Sequence, residues 1–276
     1  MTASPSSSPA WPNKVLALDT STDRLSIAVG AAGQAALLHH EAEGGAQASA
    51  TLLPAILDML DAAGWRLDEL EAIAFGCGPG TFTGLRTACA VVQGLAVAGR
   101  PGGIPVIPVH GLLAVARAAL DRWLAQHGDW PGGRLSAALD ARMDEMYVAD
   151  VAVTPATDMP DGWRLALVQD ARLCTPPALA TADGWPVSPA TPPTLLAGNV
   201  SGYASRWPTA WQTVPLIPAW PDAQALLRLS AALWAAGAAV PAAAAQPLYV
   251  RDKVALTTEE RERLRPPGHM PPAPKP

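Results

Sequence analysis

Three short segments carry residue types that could hold an anion. Asp19-Thr-Ser-Thr22 is a polar turn between two apolar runs, and its backbone N–H groups and hydroxyls could form a small nest for a phosphate. Asp140-Ala-Arg-Met-Asp144 repeats the arrangement later in the chain. Gly78-Pro-Gly-Thr-Phe-Thr-Gly84 lies between a strand-like and a helix-like stretch. Its glycines permit close backbone approach, and the helix start behind it offers free N–H groups at the positive end of a dipole. Each segment also has a plainer reading. Asp, Ser and Thr favour hairpin turns through local hydrogen bonds, and Thr81 or Thr83 could simply cap a helix. The candidate nucleotide or phosphate residues, read as a vestigial site, are therefore Asp19, Thr20, Gly78, Gly80, Thr83 and Asp140.

Other chemistries find less support. The only lysines are Lys14, Lys253 and Lys275, so the glycine loop is not a Walker motif. The histidines, His39, His40, His110, His127 and His269, have no second ligand at the spacing of a helical zinc site and read as surface or loop residues. There is no Gly-x-Ser-x-Gly nucleophile turn. Asp58 and Asp61 read as a solvated helix face. No catalytic residue and no metal ligand is assigned. Cys77, Cys89 and Cys174 form no Cys-x-x-Cys pair, which fits a reducing, cytoplasmic compartment.

The elements that must position these turns come from the pattern of apolar residues. Of 276 residues, 50% are hydrophobic and only 16% charged, so a large core can form. The formal net charge of -5 supplies no basic field for a phosphate backbone, and any RNA would be held mainly by another component. Val15–Asp19 and Leu25–Val29 read as a hairpin, with a third strand around Gln34–His40. A helix over Gln47–Ala63, a strand over Glu71–Cys77, a helix over Thr81–Ala98, a strand over Pro105–Val109 and a helix over Leu112–His127 complete a βββαβαβα first half.

The second half restarts with Leu135–Asp140 and Glu145–Val153, followed by weaker signals at Arg164–Val168, Pro177–Ala182 and Thr194–Asn199. Proline-rich stretches at Thr154–Asp161, Trp185–Pro193 and Trp207–Pro221 make it loop-heavy. Leu18-Asp19 and Leu139-Asp140 each end an apolar strand, and each is followed by another Asp, Asp23 or Asp144, before a second strand. That agreement points to two copies of one unit. Met1–Pro12 reads as a loose tail without a secretory signal, and Ala231–Ala245 falls short of a membrane span, which needs about 20 apolar residues.

Both helices of the first half are apolar nearly all round, through Leu52, Leu53, Ile56, Leu57 and Leu60 in one and Leu85, Cys89, Val92, Leu95 and Val97 in the other. A helix on one face of a sheet needs a single apolar stripe, so a second cover is expected, from a thicker core or from a partner.

Val15-Leu-Ala-Leu-Asp-Thr-Ser-Thr22, Leu52-Leu-Pro54, Ala72-Ile-Ala-Phe-Gly-Cys-Gly-Pro-Gly-Thr-Phe-Thr-Gly-Leu-Arg86, Gln93-Gly-Leu-Ala96, Ala138-Leu-Asp-Ala-Arg-Met-Asp-Glu-Met-Tyr147 and Pro247-Leu-Tyr-Val-Arg-Asp252 closely resemble the bacterial TsaB (YeaZ) family, in order, over roughly Asn13 to Glu260. The resemblance implies an α/β actin/Hsp70-like (ASKHA) fold of two duplicated RNase H-like domains. It divides the chain into a tail at 1–12, a first domain at 13–112, a second at 113–260 whose helix near 222–238 packs back on the first, and a tail at 261–276.

It also implies a non-catalytic role in making N6-threonylcarbamoyladenosine at position 37 of tRNAs, by pairing with the catalytic paralogue TsaD. ATP and metal would reside in the partners, among them the ATPase TsaE, with no intrinsic cofactor here, indirect contact with tRNA and no membrane. The family pairs through the two first-domain helices. That places Leu52, Leu53, Ile56, Met59 and Leu60 of one helix, and Leu85, Cys89, Val92 and Leu95 of the other, at the partner surface, with self-pairing through the same helices when the partner is absent. The paralogue's metal-binding His pair has no counterpart, and Ala48 stands where many relatives have His. The alternatives are an ATP-binding kinase or ATPase built on the paired Asp turns and, third, a glycoprotease-like peptidase.

Overall fold

β1 (Val15–Asp19) is apolar at four successive positions, all fully buried, as a strand covered on both faces must be. In this computed structural model, which describes residues 11–45, 48–180 and 192–251, it is the middle strand of a five-stranded sheet. β2 (Arg24–Gly30) pairs with it antiparallel, placing Ile27 opposite Leu18, and β4 (Ala72–Gly78) pairs parallel on its other side. β3 (Leu38–Glu43) and β5 (Val106–His110) are the edges, giving the order β3-β2-β1-β4-β5.

Alternation along the strands sorts the two faces. Leu16, Leu18, Ile73 and Phe75 point to a core shared with α1 (Ala48–Ala62) and α2 (Phe82–Gly99). Val15, Ala17, Ala72 and Ala74 point the other way, to a core shared with α3 (Gly111–His127) and α4 (Ala223–Ala235). The alanines on that second face let those helices approach closely. α3 is buried continuously from Gly111 to Leu120 because a second sheet covers its far side. Its N-terminus is capped by His110, whose Nδ1 accepts from the Leu112 N–H at 3.2 Å. The expected surface role for His110 is thus corrected: it is a half-buried cap, and burial pulls its pKa down to about 4.

The second sheet repeats the first. β6 (Leu135–Asp140) pairs antiparallel with β7 (Met146–Pro155) and parallel with β10 (Leu195–Gly198). β8 (Trp163–Leu167) and β11 (Leu216–Ile217) are the ends of the order β8-β7-β6-β10-β11, and β9 (Arg172–Cys174) also pairs with β7. This is the connectivity and strand direction of the first sheet, with β6 in the place of β1. Leu18-Asp19 and Leu139-Asp140 therefore occupy equivalent strand ends. The outer face of this sheet is covered by short turns rather than long helices, and Trp207 and Trp211 supply the bulk there against Met146, Val148 and Leu196. The chain is an α/β actin/Hsp70-like fold.

Two expectations shift. The third strand begins at Leu38 and runs on to Glu43, because an edge strand with water on both sides needs backbone pairing rather than an apolar pattern. α4 spans Ala223–Ala235, with the Asp222 carboxylate accepting from the Ala225 N–H at 2.7 Å as its cap, and it lies against the first sheet. α2 is long and apolar enough by composition to enter a bilayer, yet Leu85, Ala88, Val92 and Ala96 fix it to this chain's own sheet. The expected tails, 1–12 up to residue 10 and 261–276, lie outside the described residues, as do Lys253 and His269.

Candidate functional site

The turns after β1 and β6 face each other across a cleft of about 180 Å³, lined by Ser21, Thr22, Asp23, Asp140, Asn199 and Trp220. A neighbouring hollow of about 280 Å³ shares Gly80, Thr81 and Arg142 with it and continues toward Tyr147 and Tyr249. Trp220 stands at its wall with the Arg24 guanidinium 3.6 Å from its ring centre.

The glycine loop is filled by its neighbour. Thr20 Oγ1 donates to the Gly84 carbonyl at 2.8 Å, and the Thr81 N–H donates to the Ser21 carbonyl at 2.7 Å. A Cβ at Gly84 would lie 1.9 Å from the Thr20 carbonyl oxygen, and one at Gly80 would lie 2.4 Å from that of Ser21. The glycines are required by the packing of two loops on each other. Gly84→Ala should accordingly lower unfolding stability by about 2–4 kcal/mol, read by urea denaturation; a midpoint equal to wild type would show that the loops do not touch.

The six candidate residues are separated by the structure. Gly80 and Asp140 line the cleft. Asp19 and Thr20 are enclosed beneath it, Gly78 is occupied by the Leu248 carbonyl, 2.6 Å from where its Cβ would sit, and Thr83 is exposed on the first turn of α2. Ser21 and Thr22 line the cleft as members of the polar turn read from sequence, with Asp23 beside them, whereas Asn199 and Trp220 carry no sequence signal and arrive by tertiary folding alone.

Asp19 is strongly perturbed. Its Oδ1 accepts from the N–H and the hydroxyl of Ser21, both at 2.8 Å, while its Oδ2 is buried without a hydrogen-bond partner. Burial pushes its pKa up to about 7. Across the cleft, Asp140 Oδ1 accepts from the Tyr203 hydroxyl and the Arg142 N–H, both at 2.8 Å. Burial and that bond push Tyr203 up to about 12, so it remains a donor. Burial also pushes the Cys77 thiol up to about 12. Among the described residues, no group of three or more His, Cys, Asp or Glu side chains is placed to hold a metal ion.

The helices bring a correction. Leu52, Ile56, Met59 and Leu60 of α1 are buried against this chain's own sheet, as are Leu85, Cys89, Val92 and Leu95 of α2. A side chain enclosed by its own strands cannot also be presented outward. Of the nine residues expected at a partner surface, Leu53 alone is exposed. The outward large apolar residues are Leu53 and Leu57 of α1, at 43% and 50% exposure, and Phe82 and Val97 of α2, at 44% and 69%, with the small Ala90 and Gly94 also exposed on α2. Around Gly94 a Cβ would meet nothing within 4 Å, so another helix could approach there closely.

Comparison with known proteins gives a consistent picture. The family profile described as "TsaD: tRNA N6-adenosine threonylcarbamoyltransferase" matches residues 39–172. The "tRNA threonylcarbamoyladenosine biosynthesis protein TsaB" of Haemophilus influenzae is 37% identical over 137 residues, covering 50% of this chain and 53% of that protein. The protein of that name from Escherichia coli is 34% identical over 137 residues, covering 50% and 54%. The chain thus spans about half the length of the curated relatives it matches. The solved structure "YeaZ from Pseudomonas aeruginosa" is similar over 86% of this chain and 99% of that chain, with 36% identity and a TM-score of 0.68.

Proposed function

The chain belongs to the TsaB (YeaZ) family, and on that footing we propose that it is a non-catalytic scaffold in the formation of N6-threonylcarbamoyladenosine at position 37 of tRNA. It pairs with the catalytic paralogue TsaD through the outward face of α1 and α2. The observation that carries this reading is that α1 and α2 keep large apolar side chains in water, Leu53 and Leu57 on one and Phe82 and Val97 on the other, and that α2 also leaves open space at Gly94. Covering each large side chain there is worth about 1.5–3 kcal/mol at full burial.

The partner would hold the metal and the threonylcarbamoyl adenylate, and the ATPase TsaE would join the assembly. This chain contributes shape. Its net charge of -5 assigns the grip on tRNA to other subunits. Its unpaired cysteines suit a cytoplasmic setting. The enclosure of Asp19 beneath the cleft favours this role over nucleotide turnover by the chain itself.

Reconstitution tests the reading. Purified TsaD, TsaE, ATP, threonylcarbamoyl adenylate and tRNA should modify adenosine 37 only when this chain is added. Equal modification without it would refute the scaffold role, and modification by this chain alone would make it the enzyme.

A further inference from the structure

The segment Val240–Arg251 runs as a strap from the first sheet, over α2, to the second. Val240 pairs with Val106 at the sheet edge. The Ala245 carbonyl accepts from Gln93 Nε2 of α2 at 2.9 Å, and the Leu248 N–H donates to the Cys77 carbonyl at 2.6 Å. Tyr249 then lies with its ring 5.5 Å from Phe82, its hydroxyl accepting from Arg86 Nε at 3.1 Å. Beyond it, Arg251 Nη2 donates to the Ala141 carbonyl at 3.0 Å and to Glu145 Oε2 at 2.7 Å.

The turn that Arg251 holds is strained. Arg142, Met143 and Asp144 adopt φ of 61°, 52° and 66°, three successive residues with side chains in the left-handed region that favours glycine. Arg206 grips the same turn from the other side, with its Nη1 and Nη2 each 2.5 Å from an Asp144 carboxylate oxygen. Phe82 and Arg86 continue the Ala90, Gly94, Val97 stripe toward the start of α2, and Phe82 and Tyr249 are 44% and 46% exposed. A protein seated on that stripe competes directly for the groups that position Tyr249.

We propose that the strap couples occupancy of the α2 face to the turn after β6. When a partner covers Phe82 and Arg86, their contacts to Tyr249 give way, Arg251 disengages, and the strained turn relaxes at the mouth of the cleft that Arg142 and Asp140 line. This rests on the partner surface proposed above, and it adds a structural consequence of pairing at a distance from that surface.

Hydrogen exchange measured by mass spectrometry tests the coupling. The Ala141 and Glu145 amides are bonded within the turn, to the Glu145 and Arg142 carbonyls at 2.9 and 3.1 Å, so its loosening is directly visible. In the full chain, adding TsaD should speed exchange in residues 141–145 by about tenfold. Arg251→Met should speed it to a similar extent without the partner, abolish any further change on pairing, and tighten partner binding, by up to about tenfold, because the released turn no longer opposes pairing. Tyr249→Phe, which removes only the hydroxyl, should give an intermediate rate. A bound partner that leaves exchange at 141–145 unaltered in wild type would overturn the coupling while leaving the interface intact. The absence of any complex would overturn the interface itself, and the coupling with it.

Discussion

Asp19→Asn should stabilise the protein at pH 8 by as much as about 4 kcal/mol and flatten its stability between pH 4 and pH 7. The carboxyl is enclosed, accepts from the Ser21 N–H and hydroxyl, and feels the repulsion of Asp222, with no neighbouring cation among the described residues lowering its pKa. Its pKa in the fold is about 7, from burial first and the Asp222 charge last. The sign follows from proton binding. Below the ordinary carboxylate range, folded and unfolded chains both carry the proton and Asp19 costs nothing. As pH rises toward about 7 the unfolded chain ionises while the fold retains its proton, so stability falls, and above that pH the full cost persists. Asparagine keeps the Oδ1 that accepts both Ser21 bonds and never ionises. Urea unfolding across pH 4–8 decides the matter: an Asn variant with the wild-type pH slope would place the titration elsewhere.

The second large effect separates the inward and outward sides of the same two helices. Leu57→Asp combined with Val97→Asp should leave unfolding stability within about 1 kcal/mol of wild type, since both side chains already stand in water. The pair should weaken TsaD binding by a hundredfold or more, on the order of 3 kcal/mol, by placing charges at the centre of an apolar contact. Val92→Asp should do something different. Val92 is fully buried between α2 and the sheet, so an unpaired carboxylate there costs on the order of 4 kcal/mol or more and should prevent folding. Calorimetric titration paired with thermal unfolding distinguishes the two. Tight binding by the doubly charged variant would remove α1 and α2 from the interface.

Much of the architecture is legible in the chain because strands and helices announce themselves through apolar period. The run Val15–Leu18 reads as a strand buried on both faces, and Leu18-Asp19 with Leu139-Asp140 marks the duplication that the two sheets repeat in strand order and direction. β9 and β11 are too short, at 3 and 2 residues, to leave such a trace. The site was harder to read. The glycines of Gly78–Gly84 look like an anion cradle because the same residue type serves close approach of any backbone, and here the approaching backbone is the Thr20–Ser21 turn of the chain itself.

The choice of residues on the two helices shifts for a related reason. Periodicity shows that α1 and α2 are apolar on most sides without saying which side the sheet takes. Leu52, Ile56, Leu85 and Val92 went to the sheet, while residues of equal or greater size, Leu53, Leu57, Val97 and Phe82, stayed on the outward face with the small Ala90 and Gly94, so side-chain size did not mark the sides. His110 was missed because a capping role depends on where α3 begins, which no single residue type declares.

Thiol labelling at one engineered position tests the central claim most directly. Cys77, Cys89 and Cys174 all have thiols pushed up by burial, so a Val97→Cys protein carries one readily reactive thiol on the outward face of α2. With saturating TsaD, maleimide modification of that thiol should slow by about tenfold or more, as expected for a group removed from water at an interface core. Modification at the same rate in the assembled complex as in the free chain would mean that the partner sits elsewhere.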